Sequence, residues 1–361
     1  MTAATVVEVR KDDLSKTRIT ERPAAPLALG AARLRIETFA ITANNVTYGV
    51  VGERIGYWRF FPTDEDGWGV IPVWGVATVE ESAHEGLEAG ERLYGYFPLA
   101  DRLTIEVAAL KPGSLFDGAA HRADLPAVYN RYVRLSADPA DEPAADAART
   151  ILQPLYFTGF CLYDFLLAAD WFGASQIVIP SASSKTAIGT AYAIKGDEAA
   201  PKLIGVTSPG NEAAVRALGL YDEVVLYDDM EDRIDAGAKT AIVDMSGSGG
   251  VVGRLHRHLG DNMAYTSNVG VTHYDDAGMG PDYIKERSAM FFAPGHIAKR
   301  TEEWGPGVFD KRAAAFFAEA ARRSMEWLQI RRAEGAAEAE AAWAEVLAGK
   351  TPPEVAWAVR I

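Results

Sequence analysis

Gln176-Ile177-Val178-Ile179-Pro180-Ser181-Ala182-Ser183-Ser184-Lys185-Thr186-Ala187-Ile188-Gly189 is the stretch that decides the fold. Gln176–Ile179 has the length and apolarity of a buried strand, Ser181–Thr186 is a polar loop, and Ala187–Lys195 has helical character. The pattern then repeats. Lys202–Thr207 is a second strand, Asn211–Leu218 a second helix, Glu223–Tyr227 a third strand and Thr240–Met245 a fourth. Short apolar strands alternating with helices predict an α/β domain with a parallel sheet covered on both faces. Right-handed crossovers make it doubly wound.

Upstream, the first 150 residues read as β-rich. Leu34–Phe39, Val70–Val79 and Gly90–Phe97 are strand-like runs broken by turn residues, as in a barrel or sandwich. Ser136–Ala148 shifts to Ala, Asp, Pro and Glu, as a linker or polar helix entrance does. Ile151–Phe172 carries apolar residues at helical spacing, and Gly173 suits its C-cap. Downstream, Phe309–Glu345 reads as helical, with Ala333–Ala348 as a solvated helix. Val355–Ile361 reads as a closing strand. A lone terminal strand needs a sheet to join, and it is assigned to the first domain. The expected division is therefore 1–150 completed by 301–361, and 151–300 between them.

Composition sets the outer bounds. The chain has 361 residues, 48% hydrophobic and 24% charged, with 36 basic against 50 acidic residues and a net charge of −14. Core material is ample, so disorder is excluded for most of the chain. The acidic balance argues against a nucleic-acid or membrane-surface partner. No apolar run reaches the ~18 residues of a membrane span. No secretory signal is visible in Met1–Arg10, so a reducing cytoplasm is the expected address. The single cysteine, Cys161, excludes an internal disulfide and any zinc site of several thiolates.

The loop after the first parallel strand is where a helix N-terminus faces an anion. Ser183, Ser184 and Thr186 add hydroxyl donors there, and Lys185 adds a point charge suited to phosphate. The usual G-x-G-x-x-G is absent; only Gly189 stands where its third glycine would. Lys185-Thr186 echoes a P-loop, but without the glycines that open its cradle. The second strand ends in Thr207-Ser208, with no carboxylate for the ribose 2′-hydroxyl of NAD. Room is left for a 2′-phosphate, with Ser208, Asn211 and Tyr227 as candidate donors. NADPH is therefore expected over NADH.

The order of parts resembles the medium-chain dehydrogenase/reductase superfamily along nearly the whole chain. Gly90-Glu91-Arg92-Leu93-Tyr94-Gly95 is similar to its "G-D-R-V-x-G" turn, and Ala217–Val224 to its "lGAdeVi" segment. Ala43-Asn44-Asn45-Val46-Thr47-Tyr48 resembles the "gvNfxD" segment of the zinc-free quinone and enoyl reductase branch. Pro72-Val73-Trp74-Gly75, Tyr129-Asn130-Arg131-Tyr132 and Ser181–Ala187 also resemble an uncharacterised bacterial family, a domain of unknown function.

The resemblance implies a GroES-like substrate domain, a Rossmann domain, and a homodimer formed through Rossmann edge strands. It implies hydride transfer from NADPH to an activated C=C or C=O bond of a small, apolar or aromatic substrate. Such chemistry without zinc needs hydrogen-bond donors for the developing oxyanion and a proton source. Asn44 matches the motif's asparagine, and Thr47 replaces its aspartate. Tyr57 falls near the acid tyrosine of the zinc-free enoyl reductases, with Tyr48 next to be considered. Asn268 and Gly270, in Asn268–His273, stand at a strand end that lies by the nicotinamide in this fold. No metal is expected: Cys161 is far from any family zinc position, and no two of the six histidines stand at i,i+4. A nucleotide-binding sensor or scaffold that has lost catalysis is the alternative.

Overall fold

The computed structural model describes residues 3–135, 143–270 and 280–361. The chain divides into two compact units. The first is Met1–Ile151 with Leu328–Thr351 and Val355–Ile361; the second is Leu152–Trp327 with Pro352–Glu354. The return to the first unit thus falls at Leu328, later than the boundary expected at 301.

The first unit is built on a closed barrel. Its strands are β1 (Ala4–Arg10), β2 (Thr17–Arg22), β3 (Ala31–Ile41), β4 (Trp68–Gly69), β5 (Pro72–Ser82), β6 (Arg92–Pro98), β7 (Arg102–Lys111), β8 (Ser114–Asp117) and β9 (Arg131–Leu135). The order β3-β5-β6-β9-β8-β7 closes because β3 also pairs with β7. Leu34, Phe39, Val76, Leu93, Phe97 and Leu115 fill the interior. β1, β2 and β4 form a separate small sheet. Two short helices, α1 (Ala43–Val50) and α2 (Gly52–Ile55), lie between β3 and β4.

The second unit opens within α3 (Pro143–Ala168). This helix begins before the expected Ile151 and ends at Ala168, because Trp171 and Phe172 adopt left-handed backbone angles. Ala145–Ala168 is long and apolar enough to cross a bilayer. Leu152, Leu155, Tyr156, Cys161, Leu162 and Leu166 are nonetheless buried in the unit's core. Six parallel strands follow: β10 (Gln176–Pro180), β11 (Lys202–Thr207), β12 (Glu223–Leu226), β13 (Thr240–Asp244), β14 (Met263–Asn268) and β15 (Ser288–Met290). Their order is β12-β11-β10-β13-β14-β15, the doubly wound arrangement whose strand order reverses at β10. The covering helices are α4 (Lys185–Lys195), α5 (Glu212–Ala217), α6 (Met230–Arg233), α7 (Gly249–Leu259), α8 (Ala293–Trp304) and α9 (Val308–Ser324).

The expected helical run Phe309–Glu345 is corrected. It is α9, then a strand β16 (Gln329–Glu334), then α10 (Ala336–Leu347). β16 pairs in parallel with β17 (Val355–Arg360), and β17 runs antiparallel to the Phe39–Ile41 end of β3. The closing strand therefore joins the first unit's sheet, as expected. β16 escaped notice because Gln329-Ile330-Arg331-Arg332-Ala333-Glu334 is an exposed edge strand with little apolar content.

One contact fixes the helices of the second unit. A Cβ on Gly159 would come 2.5 Å from the Thr190 backbone nitrogen, and one on Gly189 would meet the Tyr156 ring at 2.6 Å. Helices α3 and α4 therefore cross with no side chain between their backbones. Elsewhere in a helix, Gly→Ala stabilises by about 1 kcal/mol. Here Gly159→Ala and Gly189→Ala are each expected to destabilise, by about 1–3 kcal/mol, because the added methyl overpacks a rigid contact. Urea denaturation measures this, and a stabilised variant would contradict the crossing.

Candidate active site

In the second unit the loop from β10 to α4 is tied down at almost every residue. Ser181 adopts φ +60°, in the left-handed region that favours glycine. Its N–H donates to the Tyr227 hydroxyl at 2.9 Å. Ala182 donates to the Val206 carbonyl at 2.9 Å, and its own carbonyl accepts from the Tyr221 hydroxyl at 2.9 Å. Gly205 leaves room for this: a Cβ there would fall 2.8 Å from the Tyr221 ring and 2.9 Å from the Ala182 Cβ. Asn211 Nδ2 donates to Ser183 Oγ at 3.1 Å. Ser184 is the N-cap of α4, accepting from the Ala187 N–H at 3.3 Å. Thr186 is half-buried as the second residue of α4, its carbonyl taking the Thr190 hydroxyl at 2.9 Å.

The structure thus brings Ser183, Ser184, Asn211 and Tyr227 around one loop at the carboxyl ends of β10, β11 and β12. Tyr227 lies in the turn just after β12 rather than in the strand. Burial pushes its hydroxyl up to about 12. Ser208 sits half-buried at the end of β11, its carbonyl receiving the Asn211 N–H at 3.0 Å. Beside it, the Thr207 hydroxyl is buried with no hydrogen-bond partner. Lys185 lies differently from its neighbours: its ammonium donates to the Pro353 carbonyl at 3.1 Å.

Asn268 and Gly270 stand together at the end of β14. Gly270 donates to the Asp244 carbonyl at 3.1 Å, and a Cβ on it would fall 2.1 Å from the Met245 carbonyl oxygen, so only glycine fits. Asn268 Nδ2 donates to the Tyr283 hydroxyl at 2.7 Å, while its Oδ1 is buried without a partner. The rest of that segment, residues 271–273, lies outside the described residues.

In the first unit, helix α1 sets Asn44 and Tyr48 four residues apart, on one face. Asn45 anchors the helix: its Oδ1 takes the Thr42 N–H at 2.7 Å, and its Nδ2 donates to the Pro72 carbonyl at 2.9 Å. Asn44 Nδ2 donates to the Tyr48 hydroxyl oxygen at 2.7 Å, and Trp74 Nε1 donates to the same oxygen at 3.1 Å. Tyr57 begins a 3-10 turn after the left-handed Gly56. Its ring centroid lies 4.6 Å from that of Tyr48, and its hydroxyl shares a hydrogen bond with Tyr129 at 3.1 Å. Burial pushes both phenols up; the Trp74 and Asn44 donors pull Tyr48 back, as the Tyr129 bond does for Tyr57.

Tyr96, Tyr129 and the indole of Trp74 as a donor were not singled out from sequence. The available signal was the two-residue period of β5 and β6, which sets Trp74 opposite Tyr96 and Val76 opposite Tyr94 on one face. Cys161 is buried, and burial pushes its thiol up, away from thiolate chemistry. Among the described residues, no three His, Cys, Asp or Glu side chains group as a metal site.

Residues 39–352 match the family described as "Protein of unknown function (DUF2855)". None of the curated proteins matches the chain. Solved structures do. CurA from Vibrio vulnificus, in complex with NADPH, superposes with TM-score 0.59 at 14% identity over 95% of this chain and 94% of that one. A mutant enoyl thioester reductase from Candida tropicalis gives 0.59 at 12% identity over 100% of both chains. The quinone oxidoreductase from Coxiella burnetii gives 0.54 at 12% over 100% of both. At such identities the likeness establishes the fold alone. By its sequence match the chain belongs to the DUF2855 family.

Burial pushes the Lys185 ammonium down to about 8. An unfolded lysine holds its proton to about 10.4. Between those values the unfolded chain binds more protons than the folded one, so stability rises with pH. Lys185→Met removes this titration. Relative to Lys185→Met, the parent is expected to gain stability from pH 8 to pH 10 in denaturant titrations. A pH-independent difference would show that the ammonium is not held in a desolvating site.

Proposed function

We propose that this chain is an NADPH-dependent, zinc-independent reductase of an activated C=C or C=O bond in a small, apolar or aromatic substrate. The observation that carries the reading is the Tyr48 hydroxyl. Its oxygen receives N–H donors from Asn44 and Trp74, so the anion left after proton donation keeps two hydrogen bonds. Tyr57 is the second candidate for the proton, with its hydroxyl already shared with Tyr129.

Three features of the second unit fit a dinucleotide. The left-handed Ser181 turns the chain sharply between β10 and α4. The Thr207 hydroxyl is a buried atom that lacks a partner at the strand end expected to face the ribose. No carboxylate follows it, since the next residues are Ser208 and Pro209. Ser183, Ser184, Lys185 and Thr186 would hold phosphate oxygens; Ser208, Asn211 and Tyr227 would hold the ribose side; Asn268 and Gly270 would flank the nicotinamide. When bound, NADPH supplies the hydride. Tyr48 then gives its proton, with Asn44 holding the phenol oxygen in place. The exposed Met290 on edge strand β15 supports pairing of that edge with a second copy, and light scattering is expected to report a dimer.

Calorimetry is expected to show tighter binding of NADPH than of NADH, with Lys185→Ala weakening NADPH by about 1.5–3 kcal/mol. Equal affinities would remove the 2′-phosphate argument. With a substrate found among enones, enoyl thioesters and quinones, Tyr48→Phe should lower turnover by about 10²–10⁴. A loss confined to Tyr57→Phe would move the acid to Tyr57. Binding of NADPH with no reduction of any acceptor would favour a sensor.

A further inference from the structure

Tyr96 carries an unexplained hydroxyl. The residue is 0% exposed, its oxygen is buried, and it makes no hydrogen bond of normal geometry. Leaving such a group unpaired is costly, and phenylalanine would fill the same space without that cost. The ring is well used: it packs edge-on to Tyr48 with centroids 5.5 Å apart, edge-on to Phe60 at 5.3 Å, and tilted against Trp74 at 5.2 Å. Only the hydroxyl lacks a structural role.

A phenol oxygen has two lone pairs and one proton. At Tyr48 the lone pairs take Asn44 and Trp74. In the neutral state the Tyr48 oxygen has no lone pair left for Tyr96. Once Tyr48 loses its proton, the oxygen gains a third lone pair and a full charge. The Tyr96 O–H is then the adjacent uncommitted donor.

We propose that Tyr96 is a positioning residue whose hydroxyl hydrogen-bonds Tyr48 only after Tyr48 has given up its proton, stabilising the phenolate and not the phenol. This rests on the assignment of Tyr48 as the acid. In the step, the Tyr48 O–H bond breaks and a C–H or O–H bond forms on the reduced substrate. The electron pair stays on the Tyr48 oxygen, the Tyr96 O–H rotates to donate to it, and a solvent proton later restores Tyr48. Tyr48 keeps 5% of its surface open and Tyr96 none, so a substrate meets Tyr48 and Tyr96 acts through it. An interaction made only as charge develops accelerates the step rather than tightening the ground state. Burial first, and then charge on Tyr48, disfavours ionisation of Tyr96, which therefore remains a donor.

The experiment places 3,5-difluorotyrosine at position 48 in the full chain, so that its titration falls in an accessible pH range, and follows it by fluorine NMR. In a Tyr96→Phe background this probe is expected to ionise at higher pH, while the melting temperature stays level or rises. Tyr129→Phe, which removes the hydroxyl paired with Tyr57, should leave the probe unmoved. An unchanged titration in Tyr96→Phe, or a shift matched by Tyr129→Phe, overturns the proposal. On a reduced substrate, Tyr96→Phe should lower kcat by about 10- to 100-fold with KM unchanged, the worth of one hydrogen bond to a charge. If Tyr48→Phe is silent in turnover, the parent assignment fails, and the titration still decides the pairing. If Tyr48→Phe is damaging and Tyr96→Phe has no effect on kcat, Tyr96 alone is refuted.

Discussion

The second unit depends on two helices meeting without side chains between them. Gly159 of α3 lies against the backbone of Gly189 and Thr190 in α4. That contact sets where α4 can stand beside the sheet, and so where its N-terminus and the Ser184 cap face at the end of β10. Tyr156 covers Gly189, and its hydroxyl meets Ser324 Oγ of α9 at 2.6 Å. Three helices are thus referenced to one crossing. Interiors packed at this density transmit displacement rather than absorb it, so the loop's position follows from glycines remote from its own chemistry.

The loop between β10 and α4 makes its turn without a glycine. In a G-x-G-x-x-G turn, the first glycine permits the tight turn and the third permits close helix packing. Gly189 keeps the packing role. Ser181 takes the left-handed angle itself, which in an L-residue costs roughly 1–2 kcal/mol. Tyr227 and Tyr221 hold the strained segment by hydrogen bonds to Ser181 and Ala182. Two tyrosine hydroxyls therefore hold a turn that contains no glycine. A loop pinned from outside is more rigid, and it has spent the Ser181 and Ala182 N–H groups on its own chain.

The parallel sheet was legible because buried strands such as Ile177-Val178-Ile179 are continuous apolar runs between polar loops. Barrel closure was not, since the bond between β3 and β7 joins Ala31–Arg35 to Arg102–Glu106 with no local signal. β16 was hidden by its charge, and the early start of α3 by a Pro/Asp/Glu-rich entrance that reads equally as linker. At the site, residue types were legible and their partners were not. The sequence neighbours of Lys185 point to phosphate, but its hydrogen bond to the Pro353 carbonyl, 168 positions away, had no sequence signal. Asn44 and Tyr48 were singled out separately, and only helix α1 shows them as a pair. Trp74, which completes the pair, arrives from another strand.

The two buried tyrosine arrangements of the first unit show how hydrogen-bond counting separates structure from chemistry. Tyr57 and Tyr129 share one hydrogen bond, which commits one of their two protons. Tyr48 is arranged oppositely. Two donors converge on its oxygen, none of its described hydrogen bonds uses its own proton, and a third hydroxyl waits unpaired beside it. Burial alone pushes every phenol here toward the neutral form. At Tyr48 the donors oppose that push. The surplus of donors at Tyr48, unneeded by the neutral phenol, is accounted for by the charged state that follows proton transfer.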